Sequence, residues 1–232
     1  EDILVSGSKD KTIRIWNIST GNCLKILEGH TADILSVSLS EDWIASGSVD
    51  STIRVWNRIT GECIRTFTDH SRNVSWVNIN GKLLFSASWD HYLRIWDLET
   101  GKCLHALEEH FDAINTGDQY KNYAATGDQT GIIVIWNLQE KEVIHRLNMH
   151  KRAIMGLHIH KNYLYSTSMD RTIMIWDLNT GVCVKKLEGH QDATLGIWKE
   201  RNLIVSSSAD KSIRLWDDFT VHSVKDLEGH EN

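Results

Sequence analysis

The chain has 232 residues, of which 41% are hydrophobic and 24% are charged, and its formal net charge is −6. This composition is typical of a globular protein, and the weakly acidic balance argues against a nucleic-acid binder, which needs a dense basic surface. Four cysteines are too few to stabilise a domain of this length through disulfide bonds. No apolar run approaches the roughly 20 residues that a membrane-spanning helix needs.

The predicted elements are short β-strands throughout. Residues 1–30 contain three candidate strands, ILVSGS, KTIRIWN and CLKILEG, and residues 31–70 contain four, DILSVSLS, WIASGS, STIRVWN and ECIRTFTDH. These segments alternate between apolar and polar residues and are rich in Ile, Val, Thr and aromatic residues. Turn sequences such as SVDST and RITGE separate them. Because no stretch sustains a helical period, we expect an all-β fold.

This unit repeats every 40 residues along the chain. Tryptophan and histidine keep the period in every repeat, and aspartate keeps it in all but one. The tryptophans are Trp16, Trp56, Trp96, Trp136, Trp176 and Trp216. The predicted repeats are 1–30 (partial), 31–70, 71–110, 111–150, 151–190 and 191–230. A four-stranded meander at this period predicts a β-propeller of six blades, in which the first blade lacks its innermost strand. We expect residues 1–232 to form this single domain.

The repeated segments SGSKDKTIRIWN, SASWDHYLRIWD, STSMDRTIMIWD and SSSADKSIRLWD, each followed by a stretch that ends in LEGH or a variant, resemble WD repeats. The repeat length is similar to that of F-box and related ubiquitin-ligase WD proteins. The resemblance implies that a buried His–Ser–Asp–Trp tetrad holds each blade together. The implied tetrads are His30, Ser46 (or Ser48), Asp50 and Trp56; His70, Ser86, Asp90 and Trp96; His150, Ser166, Asp170 and Trp176; and His190, Ser206, Asp210 and Trp216.

The fourth repeat departs from this pattern. Thr130 stands at the aspartate position, and Asp128 stands two residues earlier, where it is a candidate partner for His110. Because repeat proteins distribute their stability over many neighbour contacts, we expect the fold to tolerate this change.

The tetrads contain Ser, His and Asp, so a hydrolase with a catalytic triad is an alternative interpretation. A nucleophile occurs once per active site, whereas this set recurs in most repeats, and the chain has no GxSxG motif. We therefore predict structural residues, no catalytic residue and no cofactor.

The sequence also argues against a metal site. Cys23, Cys63, Cys103 and Cys183 occupy one position of the repeat, which places them on different blades. His158 and His160 form the chain's H-x-H pair, without neighbouring Cys or carboxylate ligands in the sequence.

The resemblance implies that partners contact three positions per blade at the rim of the central channel. Two flank the first-strand aliphatic residue, and one precedes the tetrad aspartate. Six of these rim positions carry large apolar residues: Leu35, Val49, Trp89, Met155, Met169 and Leu195. Lys9 is the basic residue among them, whereas the propellers of F-box proteins that bind phosphopeptides place several arginines there.

We therefore expect a non-enzymatic scaffold that binds other proteins or short peptides on an apolar rim, and neither nucleic acid nor membranes. The alternative within this class is a substrate-recruiting module of a ubiquitin ligase complex. The sequence lacks a signal peptide, so we expect an intracellular protein, cytoplasmic or nuclear.

The ends of the chain suggest an excerpt of a longer protein, because Glu1 is not methionine and residues 1–30 supply a partial blade. Two arrangements remain open, a longer propeller and a closed ring of six blades. In the closed ring, His230 completes a tetrad with Asp10 and Trp16.

Overall fold

The computed structural model describes residues 2–218 and 223–228, and in this part of the chain all regular structure is β-strand. No helix with the length and apolar character needed to cross a membrane occurs in it. The expected position of His230 in a tetrad lies outside the described residues.

The described strands form six antiparallel sheets, here called blades 1 to 6. Blade 1 consists of β1 (Ile3–Gly7), β2 (Ile13–Asn17) and β3 (Cys23–Leu27). Blade 2 consists of β4 (Ile34–Leu39), β5 (Trp43–Ser48), β6 (Ile53–Asn57) and β7 (Cys63–Phe67). Blade 3 consists of β8 (Val74–Asn80), β9 (Leu83–Ser88), β10 (Tyr92–Asp97) and β11 (Cys103–Glu108). Blade 4 consists of β12 (Ile114–Tyr120), β13 (Tyr123–Asp128), β14 (Ile133–Asn137) and β15 (Glu142–Leu147). Blade 5 consists of β16 (Ile154–His160), β17 (Tyr163–Ser168), β18 (Ile173–Asp177) and β19 (Cys183–Leu187). Blade 6 consists of β20 (Thr194–Glu200), β21 (Leu203–Ser208), β22 (Ser212–Asp217) and β23 (Ser223–Glu228).

Each blade is a meander, in which consecutive strands are also neighbours in the sheet. Blade 1 has three strands among the described residues, and its sheet begins with the strand that is second in the other blades. The prediction of an all-β fold of six blades, the first without its innermost strand, is confirmed.

The turn between the second and third strands of a blade is built around the periodic aspartate. In blade 2, Asp50 Oδ1 accepts hydrogen bonds from the N–H of Thr52 at 2.9 Å and from its hydroxyl at 2.6 Å. Ser51, between them, has φ 66°, a left-handed conformation that is uncommon for a residue other than glycine. The aspartate satisfies the polar groups of the turn and thereby holds this backbone conformation.

Contacts divide the chain into two compact units, residues 1–114 and 115–232. The expectation of a single domain stays a prediction. In the first unit, one apolar cluster packs Ile13 of blade 1 against Trp56 of blade 2, and another packs Val55 of blade 2 against Trp96 of blade 3. The second unit repeats this arrangement between blades 4 and 5 and between blades 5 and 6.

Neighbouring blades within a unit pack closely face to face. At Gly47 in β5, an added Cβ would lie 2.7 Å from a methyl carbon of Val74 in the next blade. A side chain larger than hydrogen at this position would push the two sheets apart. The separation would expose aliphatic side chains that each contribute about 1.5–3 kcal/mol to stability when buried. The core of each unit therefore consists of the layers between its blades.

Candidate functional site

The His–Ser–Asp–Trp set of blade 2 is joined by short hydrogen bonds. His30 Nδ1 lies 2.8 Å from Asp50 Oδ2, and His30 Nε2 lies 2.7 Å from Ser46 Oγ. The indole N–H of Trp56 donates to the same Ser46 Oγ at 3.0 Å. Ser46 is therefore the tetrad hydroxyl. The alternative, Ser48, accepts from the N–H of Asp50 and donates to the carbonyl of Ala32.

Three further blades reproduce this geometry. The His–Asp distances are 2.8 Å in blade 3, 2.9 Å in blade 5 and 2.8 Å in blade 6. The His–Ser and Trp–Ser distances in the same three blades are all 2.8 Å. These contacts join His70, Ser86, Asp90 and Trp96; His150, Ser166, Asp170 and Trp176; and His190, Ser206, Asp210 and Trp216.

The ionisation states of the aspartate and the histidine determine which atom donates in each hydrogen bond of the tetrad. Burial acts to raise the pKa of Asp50, but hydrogen bonds from Thr52, Thr31 and His30 outweigh it and lower the pKa to about 2. The ionised carboxylate only accepts hydrogen bonds, so Nδ1 of His30 carries the proton and Nε2 is left to accept one from Ser46. Burial, opposed by the hydrogen bond to Asp50, lowers the pKa of His30 below its usual value of 6.5, and the imidazole is neutral at pH 7.

Burial also bears on the catalytic alternative. The four tetrad serines, Ser46, Ser86, Ser166 and Ser206, are at most 1% exposed. Each hydroxyl oxygen already accepts an indole N–H from its tryptophan. Because a serine nucleophile has to reach a substrate carbonyl, an oxygen that is enclosed and hydrogen-bonded in this way is not available for attack.

Blade 4 forms the corresponding buried hydrogen bonds with different residues. Thr126 Oγ1 accepts the indole N–H of Trp136 at 2.9 Å, as serine does in the other blades. Asp128 is 1% exposed, and its Oδ1 accepts from the N–H of Thr130 at 2.9 Å and from that of Ile132 at 3.0 Å. The carboxylate therefore caps its turn from a position two residues earlier than in the other blades.

The residues that sequence analysis considered for metal binding do not form a set of three ligands within the described part of the chain, although His158 Nδ1 lies 3.5 Å from Asp118 Oδ2. All four cysteines are free thiols, each on the outer strand of its blade. The ring centroids of His158 and His160 are 6.3 Å apart, and His158 stacks on Trp198 at 4.3 Å. Within the described residues no group of three His, Cys, Asp or Glu side chains has a geometry that fits a metal ion.

The three rim positions of a blade are brought together by its backbone. In blade 2, the N–H of Val49 donates to the carbonyl of Asp33 at 2.9 Å, which ties the turn before Asp50 to the start of β4. The register of β4 against β5 shifts between Ile34 and Ser36, so Leu35 is the extra residue of a β-bulge. A bulge releases a residue from the sheet pairing and re-aims its side chain.

The same construction recurs at the other rim positions. The N–H groups of Trp89 and Met169 donate to the carbonyls of Asn73 and Ala153 at 3.0 and 2.9 Å. The registers of β16 and β20 shift at the rim residues Met155 and Leu195.

The apolar rim residues differ in exposure. Leu35, Trp89 and Leu195 are 42%, 40% and 40% exposed. Val49, Met155 and Met169 are half-buried. The first unit carries Leu35, Val49 and Trp89, and the second unit carries Met155, Met169 and Leu195.

Sequence analysis missed an aromatic residue close to these positions. Phe111 is 89% exposed and directly follows His110, in the loop that leads into β12. The corresponding residues of other repeats, such as Thr31 and Lys151, are polar. An aromatic residue at a position that is otherwise polar was the available signal.

The comparisons with known proteins agree with this geometry. The family model "WD domain, G-beta repeat" matches residues 1–17, 21–57, 61–97, 141–177 and 181–217, which is more than half of the chain. The matched segments leave out residues 98–140, which include the divergent turn of blade 4.

Curated relatives match this chain over short stretches. The chain is 64% identical over 36 residues to WD repeat-containing protein pop2 of Schizosaccharomyces pombe, which is 16% of this chain and 5% of that protein. It is 46% identical over 41 residues to nuclear distribution protein PAC1 of Arthroderma otae, which is 18% of this chain and 9% of that protein. The matched segments thus span a small part of these curated relatives.

A solved structure is similar over nearly the whole chain. The crystal structure of the computationally designed Ika8 protein superimposes with a TM-score of 0.88 and 32% sequence identity, and the alignment covers 99% of this chain and 72% of that chain. The family model, the tetrads and the blade topology give one conclusion: the chain belongs to the WD40 family of G-beta repeat proteins.

Proposed function

We propose that this protein is a non-enzymatic scaffold that binds partner peptides through the apolar rim residues of its blades. One observation carries the proposal. The side chains directly beside the tetrads are large, apolar and accessible, although the repeat would accept small or polar residues there, such as Ser75 and Ala209.

The rim of the first unit is suited to a rigid anchor contact. Trp89 is 40% exposed, and its backbone is fixed by the hydrogen bond to Asn73 and by the neighbouring Asp90, whose carboxylate is held in the tetrad. An exposed tryptophan on a fixed backbone offers a large contact area at a small cost in conformational entropy. Leu35 and Val49 extend the apolar surface of this unit on blade 2.

The rim of the second unit is suited to an adaptable contact. Met155 and Met169 lie on blade 5, and Leu195 lies on blade 6. The flexible, polarisable methionine side chain adjusts to irregular apolar partners. Lys9 is the basic residue at the rim positions identified in the sequence, so an apolar peptide is a better occupant than a phosphopeptide, which requires paired guanidinium groups.

The tetrads support the non-enzymatic part of the proposal. Their serines are enclosed and already hydrogen-bonded, and their histidines are at most 6% exposed in all four complete tetrads. These groups stabilise the strands on which the rim residues stand. The membership of the WD40 family, whose repeats generally serve protein interaction, is consistent with that division of roles.

The test is a peptide selected from a displayed random library on the whole chain and then titrated by fluorescence anisotropy. We expect Trp89→Ala and Leu35→Ala, which both lie in the first unit, each to weaken binding at least tenfold. The matched control is Ile59→Ala, which removes a 75% exposed side chain at the opposite ends of the blade 2 strands. The control should bind as the unmodified chain does, and binding that survives both rim variants would refute the proposal.

A further inference from the structure

A leucine fills the space between neighbouring blades at one position of the repeat. Leu98 follows β10 and is 4% exposed, and Leu178 follows β18 and is 2% exposed. Leu98 packs into the apolar cluster that contains Ala45 and Val55 of the preceding blade. Leu178 packs in the same way into the cluster that contains Ala125 and Ile135. In both places the leucine side chain fills a groove between its own blade and the preceding one.

Blade 6 has a charged residue in place of this leucine. Asp218 is the equivalent of Leu178, and the apolar cluster between blades 5 and 6 contains no counterpart of that side chain. A cavity of about 340 Å³ lies at this place in the second unit. It is lined by Tyr163, Tyr165, Ile175, Val184, Lys185 and Asp218. We call it the blade 5–6 groove.

Blade 2 has the same kind of replacement within the first unit. Arg58 stands where the leucine would be, and a smaller cavity of about 170 Å³ lies beside it. This cavity is lined by the corresponding residues Ile3, Ile15, Leu24 and Lys25, together with Arg58 and Ile59. Two independent substitutions at the leucine position thus coincide with two open grooves. The blade 1–2 groove serves below as a matched control.

The charges at the blade 5–6 groove are unequal. Lys199 is 2% exposed, and its Nζ lies 3.1 Å from Asp218 Oδ2. Lys185 Nζ lies 3.9 Å from Asp218 Oδ1 and donates to the carbonyl oxygen of Asp218. Two ammonium groups therefore share one carboxylate. The Lys199 side chain is buried against Asp218, whereas the Lys185 side chain is 31% exposed, so its ammonium group is accessible to a second carboxylate.

Tyr165 adds a donor to the lining. Burial, reinforced by the carboxylate of Asp218, raises the pKa of the Tyr165 hydroxyl, which therefore stays protonated. The groove thus combines an apolar wall of tyrosine rings, Ile175 and Val184 with donor groups at one side.

We infer that the blade 5–6 groove binds a peptide segment that inserts one aliphatic side chain and places an acidic residue beside Lys185, which lines the groove and is partly exposed. The inserted side chain takes the place that Leu178 occupies between blades 4 and 5. The acidic residue balances the second ammonium group. This site is separate from the rim, since its residues lie on β17, β18 and β19 and at Asp218 directly after β22, away from the tetrad turns.

The test uses a fluorescein-labelled synthetic peptide, Gly-Ser-Leu-Glu-Glu-Gly, with the whole chain. Binding is measured by fluorescence anisotropy, and the methyl signals of Ile175 and Val184 are followed by NMR. We expect saturable binding with shifts of both methyl signals. Peptides in which alanine replaces leucine, or glutamine replaces both glutamates, should bind at least tenfold more weakly.

The decisive variant closes the groove from within. Asp218→Leu alone would leave the buried ammonium group of Lys199 without its carboxylate partner. It is therefore combined with Lys199→Ile, and the two changes together copy the apolar pair Ile159 and Leu178 of blade 5. The double variant should lose binding at least tenfold. Lys185→Glu, a milder change on a partly exposed side chain, should do the same by reversing the local charge.

Two control variants make the result specific. Arg58→Leu closes the blade 1–2 groove, and Trp89→Ala truncates the rim; neither should change the affinity for this peptide. Absence of binding to the unmodified chain at millimolar peptide would overturn the inference. Equal binding by the double variant, or by the glutamine peptide, would overturn it as well.

Discussion

Neighbouring residues in the chain have opposite environments at the tetrad turns. Asp90 is held in a buried network with His70, whereas Trp89, one residue earlier, is 40% exposed and contributes no bond to that network. Asp170 and Met169 form a similar pair in blade 5. Aspartate recurs in most repeats, whereas the preceding residue differs in each one. The periodic residue serves the fold, and the variable residue beside it is free to serve recognition.

The largest expected effect comes from the buried side of this comparison. Trp96 is 1% exposed, its indole N–H donates to Ser86, and its ring packs on Phe67 with the centroids 4.7 Å apart. Trp96→Ala should lower the free energy of unfolding by about 3–5 kcal/mol through lost burial and a cavity. Urea unfolding measures it. A loss below about 1 kcal/mol would show that the tetrad layer does not support the blade.

The next effect isolates the hydrogen bonds from the packing. Ser86→Ala leaves the indole N–H of Trp96 and the Nε2 of His70 without their shared partner in a buried layer. Each unsatisfied group costs about 1–3 kcal/mol, so unfolding by urea should show a loss in that range or above it. Ser71→Ala, which removes an exposed hydroxyl next to the same tetrad, is the matched control. Equal stabilities of the two variants would contradict the assigned difference.

The pH dependence of stability follows from the same groups. The pKa values of His30 and His70 are lowered below 6.5, mainly by burial, so the unfolded chain takes up these protons first. Stability should therefore fall as pH decreases below about 6.5. The pKa of Asp50 is lowered from 3.8 to about 2, so a second loss should occur between these values.

Unfolding free energies at a series of pH values measure both steps. Trp89→Ala should retain the whole profile, because its side chain does not titrate and lies outside the tetrads. A stability that rises between pH 7 and pH 5 would contradict the burial of neutral histidines.

The smallest expected effect on stability lies at the rim. Leu35→Ala and Val49→Ala remove side chains that are exposed or half-buried, and each should change the free energy of unfolding by about 0.5–1 kcal/mol or less. Thermal unfolding measures this change. A larger loss would place these side chains among the packing residues of blade 2.

The repeat pattern was sufficient to predict the blades, and the resemblance to WD repeats supplied the tetrad residues of blades 2, 3, 5 and 6. A 40-residue period places the equivalent side chains of every repeat in equivalent surroundings, so one pattern describes all of them. The tetrad of blade 2 shows the limit of this reasoning, because Ser46 and Ser48 both face the same side of β5, and only the coordinates separate their partners.

The grooves were not predictable in the same way. Arg58 and Asp218 each directly follow a strand, at a place where a charged residue ordinarily lies in solvent. Their significance depends on the leucines that fill the same space between other blades, and on the face of the preceding blade, which the local sequence does not specify. Phe111 was missed for a related reason, since its exposure is a property of the loop and not of the repeat.

The central claim is that Trp96 serves the fold and Trp89 serves recognition, and one paired measurement tests it. Trp96→Ala and Trp89→Ala are each compared with the unmodified chain in urea unfolding and in anisotropy titration with the selected rim peptide. The account predicts that Trp96→Ala loses about 3–5 kcal/mol of stability, whereas Trp89→Ala unfolds as the unmodified chain does and binds at least tenfold more weakly. A Trp89→Ala protein that loses stability and keeps its affinity would contradict the account.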